Sequence, residues 1–364
     1  MYIYDRSRSR KEYIDKSARI LVCGPTVYDY MHLGHARLFI VVDTLVRYLR
    51  YRGIYTNLLV NITDIDAKID EKASREGKDT RAVASYYSNE MIRDLMLAGS
   101  LHGIDAFAYV SDYVHTANLM IGSLLDKGYA YRLGDRVYLD VNRAYTNGYG
   151  SVSGSSIQDI MFKPLDIMQG KRSVADILLG YRKDGVEYPY WHMQDTSVAV
   201  SNYPEGYDLH IGSRDLAYPH HDAHLAQCRL LTDGRYGIRV FMHLGLLNIK
   251  GKKMSKSYNN TIRLRDTILR YGRRALRLYI LSRHYSQDME FYEGMLSLFR
   301  DLAITIEGRL RHSDSEYNGK YRYVEEFKEY MDNDLATDKA IAMIAEHIDD
   351  ISSAELKIID EVLL

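Results

Sequence analysis

The most constraining stretch of this sequence lies between residues 18 and 63. ARILVCG, at 18–24, is a short apolar run stopped by Gly24 and Pro25, as a buried strand would be. HLGHARLFIVVDTLVRYLRYRG, at 32–53, places apolar residues at helical spacing and ends on a glycine suited to a C-cap. YTNLLVNIT then reads as a second strand. Two strands joined by a helix of that length must run parallel, and a parallel sheet has to be covered by helices on its faces. The chain is therefore expected to be an α/β protein built on a Rossmann-like, nucleotide-binding parallel sheet.

Further elements fit that sheet. YDLHIGSRDLAYPHHDAHLAQCRLL reads as strand, loop and helix, and RVFMHLGLLNI as a strand running into a lysine-rich loop. Residues 1–100 and 191–294 are assigned as the two halves of the catalytic domain. The segment 101–190, rich in Gly, Ser and Tyr with hairpin-like runs such as YAYRLGDRVYLDV, is assigned as a mixed α/β insertion. Residues 295–364 are assigned as a short helical region.

With 364 residues, 46% of them apolar, the chain can bury a large core. Cys23 and Cys228 are its only cysteines, which argues against a disulfide framework and for a reducing, cytoplasmic setting. No run approaches the roughly 18 apolar residues of a membrane span, and no signal core opens the sequence. The net charge is −1, but it is unevenly spread. From Lys250 to Arg283 there are eleven Lys or Arg and one acid, Asp266; from Asp301 onward there are sixteen acids and seven bases. An anionic ligand is expected near the former.

Two motifs carry chemistry. In CGPTVYDYMHLGHAR, His32 and His35 flank Gly34 at the start of the long helix, where free N–H groups favour phosphate. Histidines there also serve simply as caps. In KGKKMSKSYNN, Lys253 and Lys256 are compact cations suited to a transferring phosphoryl group. A lone KxxK is more often solvated surface; the pair of motifs on one sheet is what gives each its weight.

Together they resemble the HIGH and KMSKS signatures of class I aminoacyl-tRNA synthetases. CGPTVYDYMHLGHAR, NITDIDAKI, YPHHDAHLAQ and KMSKSYNN resemble cysteinyl-tRNA synthetase segments in order and spacing, as do LLDKGYAYRLGDRVYLDV and FKEYMDNDLATDKAIA. The resemblance implies ATP-dependent activation of an amino acid through an adenylate, with Mg2+ accompanying ATP. It assigns His32, His35 and Gly34 to ATP, Lys253 and Lys256 to the phosphate charge, Asp215 to the nucleotide ribose, and Thr26 and Trp191 to the pocket walls.

The resemblance also implies a zinc ion at the pocket floor, held at Cys23, Asp195, His220 and His224. Here the sequence departs from the family, which has Cys at the position of Asp195 and Glu at that of His224. His220 and His224 are spaced to share one helix face if that segment is helical. Cys, Asp and two neutral His make a set of zero net charge around Zn2+, one unit less negative than the family's, and every member is a competent zinc ligand. His221 is a further candidate, whereas Cys228 reads as a core residue.

The family continues, beyond segments like FKEYMDNDLATDKAIA, to an anticodon-reading end. The acidic region here is not expected to hold RNA, so a tRNA partner would engage through its acceptor end. The leading expectation is a shortened cysteine-tRNA ligase or paralogue. The alternatives are a cysteine ligase acting on a non-tRNA acceptor, as in the mycothiol pathway, and an idle homologue kept as a binding module.

Overall fold

The computed structural model describes residues 1–163, 168–311 and 321–364. The central sheet and its covering helices are formed by β1 (Ser17–Val22), α1 (Leu33–Tyr51), β2 (Tyr55–Ile62), β3 (Ala106–Tyr109), α2 (Trp191–Asn202), β4 (Gly206–Ser213), α3 (Asp222–Leu231) and β5 (Gly237–Leu244). The five strands lie in the order β5-β4-β1-β2-β3, and every neighbouring pair is parallel. The strand order reverses between β1 and β4, the chain leading from β1 outward to β2 and β3 on one side and from β4 outward to β5 on the other. In doubly wound sheets a crevice opens at that point beyond the carboxyl ends of the strands, and ligands bind there.

The strands are buried as such a sheet requires. From Leu58 to Ile62 every residue of β2 is buried, and α1 buries Leu33, Phe39, Ile40, Val41, Val42, Leu45 and Leu49 against the sheet. Membership of β3 in this sheet places the first residues of the 101–190 block with the catalytic core. The distinct part of that block is an antiparallel sheet of Ala130–Leu133, Arg136–Leu139, Ile177–Lys183 and Val186–Pro189. It shares a separate apolar cluster with α2 and α3 through Met193, Ala223, Ala226 and Leu230.

The C-terminal helices, Glu293–Leu310, Arg322–Asp332, Thr337–His347 and Ser353–Leu363, are packed into the main core. Arg277 and Asp43, both fully buried, form an ion pair at 2.7 Å, and the same guanidinium donates to the Leu363 carbonyl at 2.8 Å. A buried pair of this kind is costly to break from one side, because the survivor is left as an uncompensated charge. Other cations of the 250–283 stretch are also committed: Arg265 to Glu90 and Asp94, Arg270 to Glu293, and Arg274 to Asp360. The positive charge left for an anionic ligand is therefore concentrated nearer the lysine loop. Among the described residues, no helix is long and apolar enough to cross a membrane.

Candidate active site

A cavity of about 430 Å³ lies at the switch point, lined by residues that include Cys23, Thr26, Gly34, His35, Asp215 and Lys256. It joins two differently built ends.

One end is the start of α1. His32 is the N-cap, and its Nδ1 accepts from the Gly34 N–H at 3.1 Å. The His35 Nδ1 accepts in turn from the His32 N–H at 3.4 Å, and the two rings stack with centroids 3.8 Å apart. The capping role anticipated as an alternative is thus real. It does not compete with ligand binding, because a neutral imidazole accepting at Nδ1 carries its proton at Nε2, free to donate. Burial, reinforced by Lys256 and Lys253, lowers His32 to about 4, and burial with His32 and Lys256 beside it holds His35 well below the usual range. Both rings are neutral donors at physiological pH. A Cβ on Gly34 would lie 2.8 Å from the His32 ring, so only glycine allows the stack.

The positive charge comes from the lysine loop. Lys253 forms an ion pair with Asp215. Burial pushes the Asp215 carboxyl up, but hydrogen bonds from Lys253 and Ser213 outweigh it and hold it below the ordinary value. Lys256 lies 4.0 Å above the Tyr28 ring and 3.9 Å from the Asp29 carboxylate. Burial is the main cause lowering its ammonium to about 8, with Lys68 and Lys72 adding to the fall and Asp29 opposing it.

Two supports of this end were not anticipated from the sequence. Asn260 accepts from the Ser255 N–H at 2.9 Å and donates to the Lys253 carbonyl at 3.0 Å, bracing the loop from within. Arg37, buried on α1, donates to the carbonyls of Gly245, Leu246, His284, Tyr285 and Gln287 at 2.6–3.4 Å. The signal for each was in the sequence: an Asn just after the lysines, and an Arg two residues beyond His35 on an apolar helix face.

The other end surrounds Cys23, just after β1. Gly24 lets the chain turn there: a Cβ would meet the Asn61 carbonyl oxygen at 1.7 Å. Around the Cys23 Sγ stand Asp195 Oδ2 at 2.8 Å, His221 Nε2 at 3.2 Å, His210 Nε2 at 3.4 Å and His220 Nε2 at 3.8 Å. His220 Nε2 is also 2.9 Å from the same carboxylate oxygen. The other Asp195 oxygen accepts from the Asn61 side-chain amide. Trp191 stacks on His220 with centroids 4.4 Å apart. Burial and the neighbouring Asp195 charge raise the Cys23 thiol far above its usual range. Burial also works against the Asp195 anion, but His220 and the hydrogen bonds from His220 and Cys23 overcome it and hold the carboxyl well below the ordinary value.

His224 does not join this group. Its Nδ1 is 3.1 Å from the Thr196 hydroxyl and its Nε2 is 2.7 Å from the Tyr207 hydroxyl. The four-residue spacing misleads because the two histidines are not on one regular helix. His220 belongs to the segment Ala217–His221, whose turn is wider than that of an α-helix, with the Asp222 N–H reaching back five residues to the Ala217 carbonyl, and α3 begins only at Asp222. In that wider turn His220 and His221 reach Cys23, and four residues no longer bring His224 onto the same face. His210, which the sequence reading passed over, lies within reach of the thiol; its trace was a histidine within the otherwise apolar run of β4.

The fold and the paired motifs define a class I tRNA synthetase catalytic domain. The solved methionyl-tRNA synthetase of Mycobacterium tuberculosis with methionyl-adenylate superposes with a TM-score of 0.67 at 14% identity, covering 95% of this chain and 83% of that one. A leucyl enzyme, Agrobacterium radiobacter K84 agnB2 LeuRS in a ternary complex with tRNA and LeuAMS, gives 0.67 at 12% identity, with coverages of 96% and 82%. The family described as tRNA synthetases class I (C) catalytic domain matches residues 10–300. The cysteine–tRNA ligase of Thermotoga maritima is 35% identical over 355 residues, 92% of this chain and 76% of that protein. That of Thermoplasma volcanium is 32% identical over 326 residues, 85% and 71%. The chain belongs to the cysteine-type class I tRNA synthetase family.

Proposed function

We propose that the protein activates cysteine with ATP, forming cysteinyl adenylate and pyrophosphate, and passes the cysteinyl group to the acceptor end of tRNA. The observation that carries this reading is that one and the same cavity is lined by Cys23 and by His35 and Lys256. An amino acid held beside Cys23 presents its carboxylate to the α-phosphate of an ATP held beside His35 and Lys256.

Most of the work in such a reaction is positioning and charge stabilisation. His32 and His35 donate from Nε2 to phosphate oxygens without adding charge. Lys256 supplies the cation where charge builds up as pyrophosphate departs, with Lys253 beside it. Asp215, paired with Lys253, would meet the nucleotide ribose. Mg2+ would accompany the ATP phosphates.

The donor set suits a divalent metal such as zinc. Asp195 Oδ2 and the Nε2 atoms of three histidines stand 2.8–3.8 Å from the Cys23 Sγ, a gathering of donor atoms that a divalent cation would hold together. Cys23, Asp195 and His220, whose donor atoms lie 2.8–3.8 Å apart, would hold the ion, with His210, which converges on Cys23 and Asp195, or His221, which converges on Cys23 and His220, completing the set. When bound, it would supply a Lewis acid that favours a substrate thiolate over a hydroxyl. The test is ATP–pyrophosphate exchange across all twenty amino acids, followed by charging of tRNA with cysteine. Exchange driven by cysteine, with charging, is the expected result; exchange driven by another amino acid would overturn the reading.

A further inference from the structure

Asp195 and three imidazoles face the Cys23 thiol, but hydrogen bonding fixes the orientation of one imidazole far more firmly than that of its neighbour. With its amide oxygen turned to Thr196 and its Nε2 left without a partner among the described residues, Gln227 accepts the only proton of the Thr196 hydroxyl at 2.8 Å. At 3.1 Å from His224 Nδ1 that hydroxyl must therefore accept, so His224 carries its proton at Nδ1. The bare Nε2 of His224 accepts from the Tyr207 hydroxyl at 2.7 Å. With that proton committed, the Tyr207 oxygen at 2.6 Å from His210 Nδ1 can only accept from it. His210 is then the Nδ1–H tautomer, and its Nε2 lone pair is aimed at Cys23 from 3.4 Å.

His221 has no comparable support. Its Nδ1 meets His243 Nε2 at 2.7 Å, and the His243 Nδ1 finds no partner among the described residues. Nothing along that path decides which ring carries the shared proton.

We infer that His210 completes the metal set with Cys23, Asp195 and His220, and that the chain Gln227–Thr196–His224–Tyr207 is the device that orients it. His224 has moved from holding the ion to holding the residue that holds it. Groups that fix a ligating imidazole through its other nitrogen contribute to metal affinity by about 10–100-fold. This inference rests on the metal reading given above.

The experiment is Co(II) titration of the intact protein, followed through the absorption of the Cys23 thiolate–cobalt bond, with Zn(II) competition for affinity. Wild type should take about one ion per chain. Tyr207→Phe keeps the ring and removes only the hydroxyl, and should weaken binding by about 10–100-fold. His210→Ala should weaken it further still, and His224→Ala should resemble Tyr207→Phe. Unchanged affinity in Tyr207→Phe, or a loss in His224→Ala as complete as in His210→Ala, overturns the inference while leaving the metal reading in place. A wild-type protein that takes no cobalt overturns both. Nitrogen-15 NMR of the metal-free wild type gives a check independent of any variant: His210 should appear as the Nδ1–H tautomer, and the Nε2–H form would rule the orienting chain out.

Discussion

The two ends of the cavity are built on different plans. The phosphate end is made from short, contiguous pieces, His32 to His35 in one helical turn and Lys253 to Lys256 in one loop. The Cys23 end gathers atoms from β1, α2, β4 and the segment before α3, all of them buried. In the first, each functional atom is placed by its own neighbours in sequence, as when His32 and His35 cap the helix they begin. In the second, placement is tertiary, and several competent donors stand within hydrogen-bond distance of one thiol. Such a cluster tolerates exchange of its members, because a neighbour can take the place of a lost ligand. At the phosphate end each group is held in its own place by its own neighbours, so a lost member is less readily replaced.

The largest test of this contrast is Lys256→Ala. Removing a preorganised charge from a developing transition state typically costs about 10²–10³ in rate, and pyrophosphate exchange should fall by that amount while circular dichroism stays unchanged. A fall of less than tenfold would show that the phosphate end has a reserve after all. Next is Cys23→Ser, in which the atom common to every contact of the cluster becomes a poor metal ligand. Metal affinity should fall by more than the ~10–100-fold that losing a supporting partner costs, measured by Zn(II) competition, and the preference for cysteine over serine should shrink with it.

The third test is pH. Because burial lowers the Lys256 ammonium to about 8, its charge is present below that pH and lost as pH rises through it. kcat/KM for ATP, which reports the free enzyme, should decline about tenfold per unit above that point. Lys256→Arg should move the decline to higher pH; an unmoved limb would assign it to another group. The smallest expected effect is that of Asn260→Ala, which removes two hydrogen bonds from the loop backbone. Both bonds are only part-buried, so each is worth the lower end of about 0.5–1.5 kcal/mol, and the KM for ATP should rise roughly 5-fold, with little change in melting temperature.

What could be read from the sequence divides along the same line. β1, α1 and β2 were legible because continuous apolar runs and a helical period are local signals, and the two lysines and two histidines sit within such signals. β3 was not, since four residues, of which Ala108 alone is fully buried, carry no period to recognise. The helical character of the C-terminal region was visible, but its share in the main core depends on partners such as Arg277 and Asp43, far apart in sequence. At the metal end, the four-residue spacing of His220 and His224 presumed a regular α-helix, and the wider turn at Ala217–His221 is not one. The roles of Tyr207 and Thr196 depend on which proton goes where, and that becomes legible only once interatomic distances are known.

The five carbonyl contacts of Arg37 have a mechanical consequence. They tie α1 to Gly245 and Leu246, immediately before the short strand Leu247–Ile249, and to the turn at His284–Gln287. Any swing of the lysines toward or away from a nucleotide must therefore pivot beyond Leu246. The histidines ride on the same helix as the clamp, so the distance from them to the pivot stays fixed. Opening and closing becomes the motion of a short lever on a bearing that the nucleotide's own cradle provides.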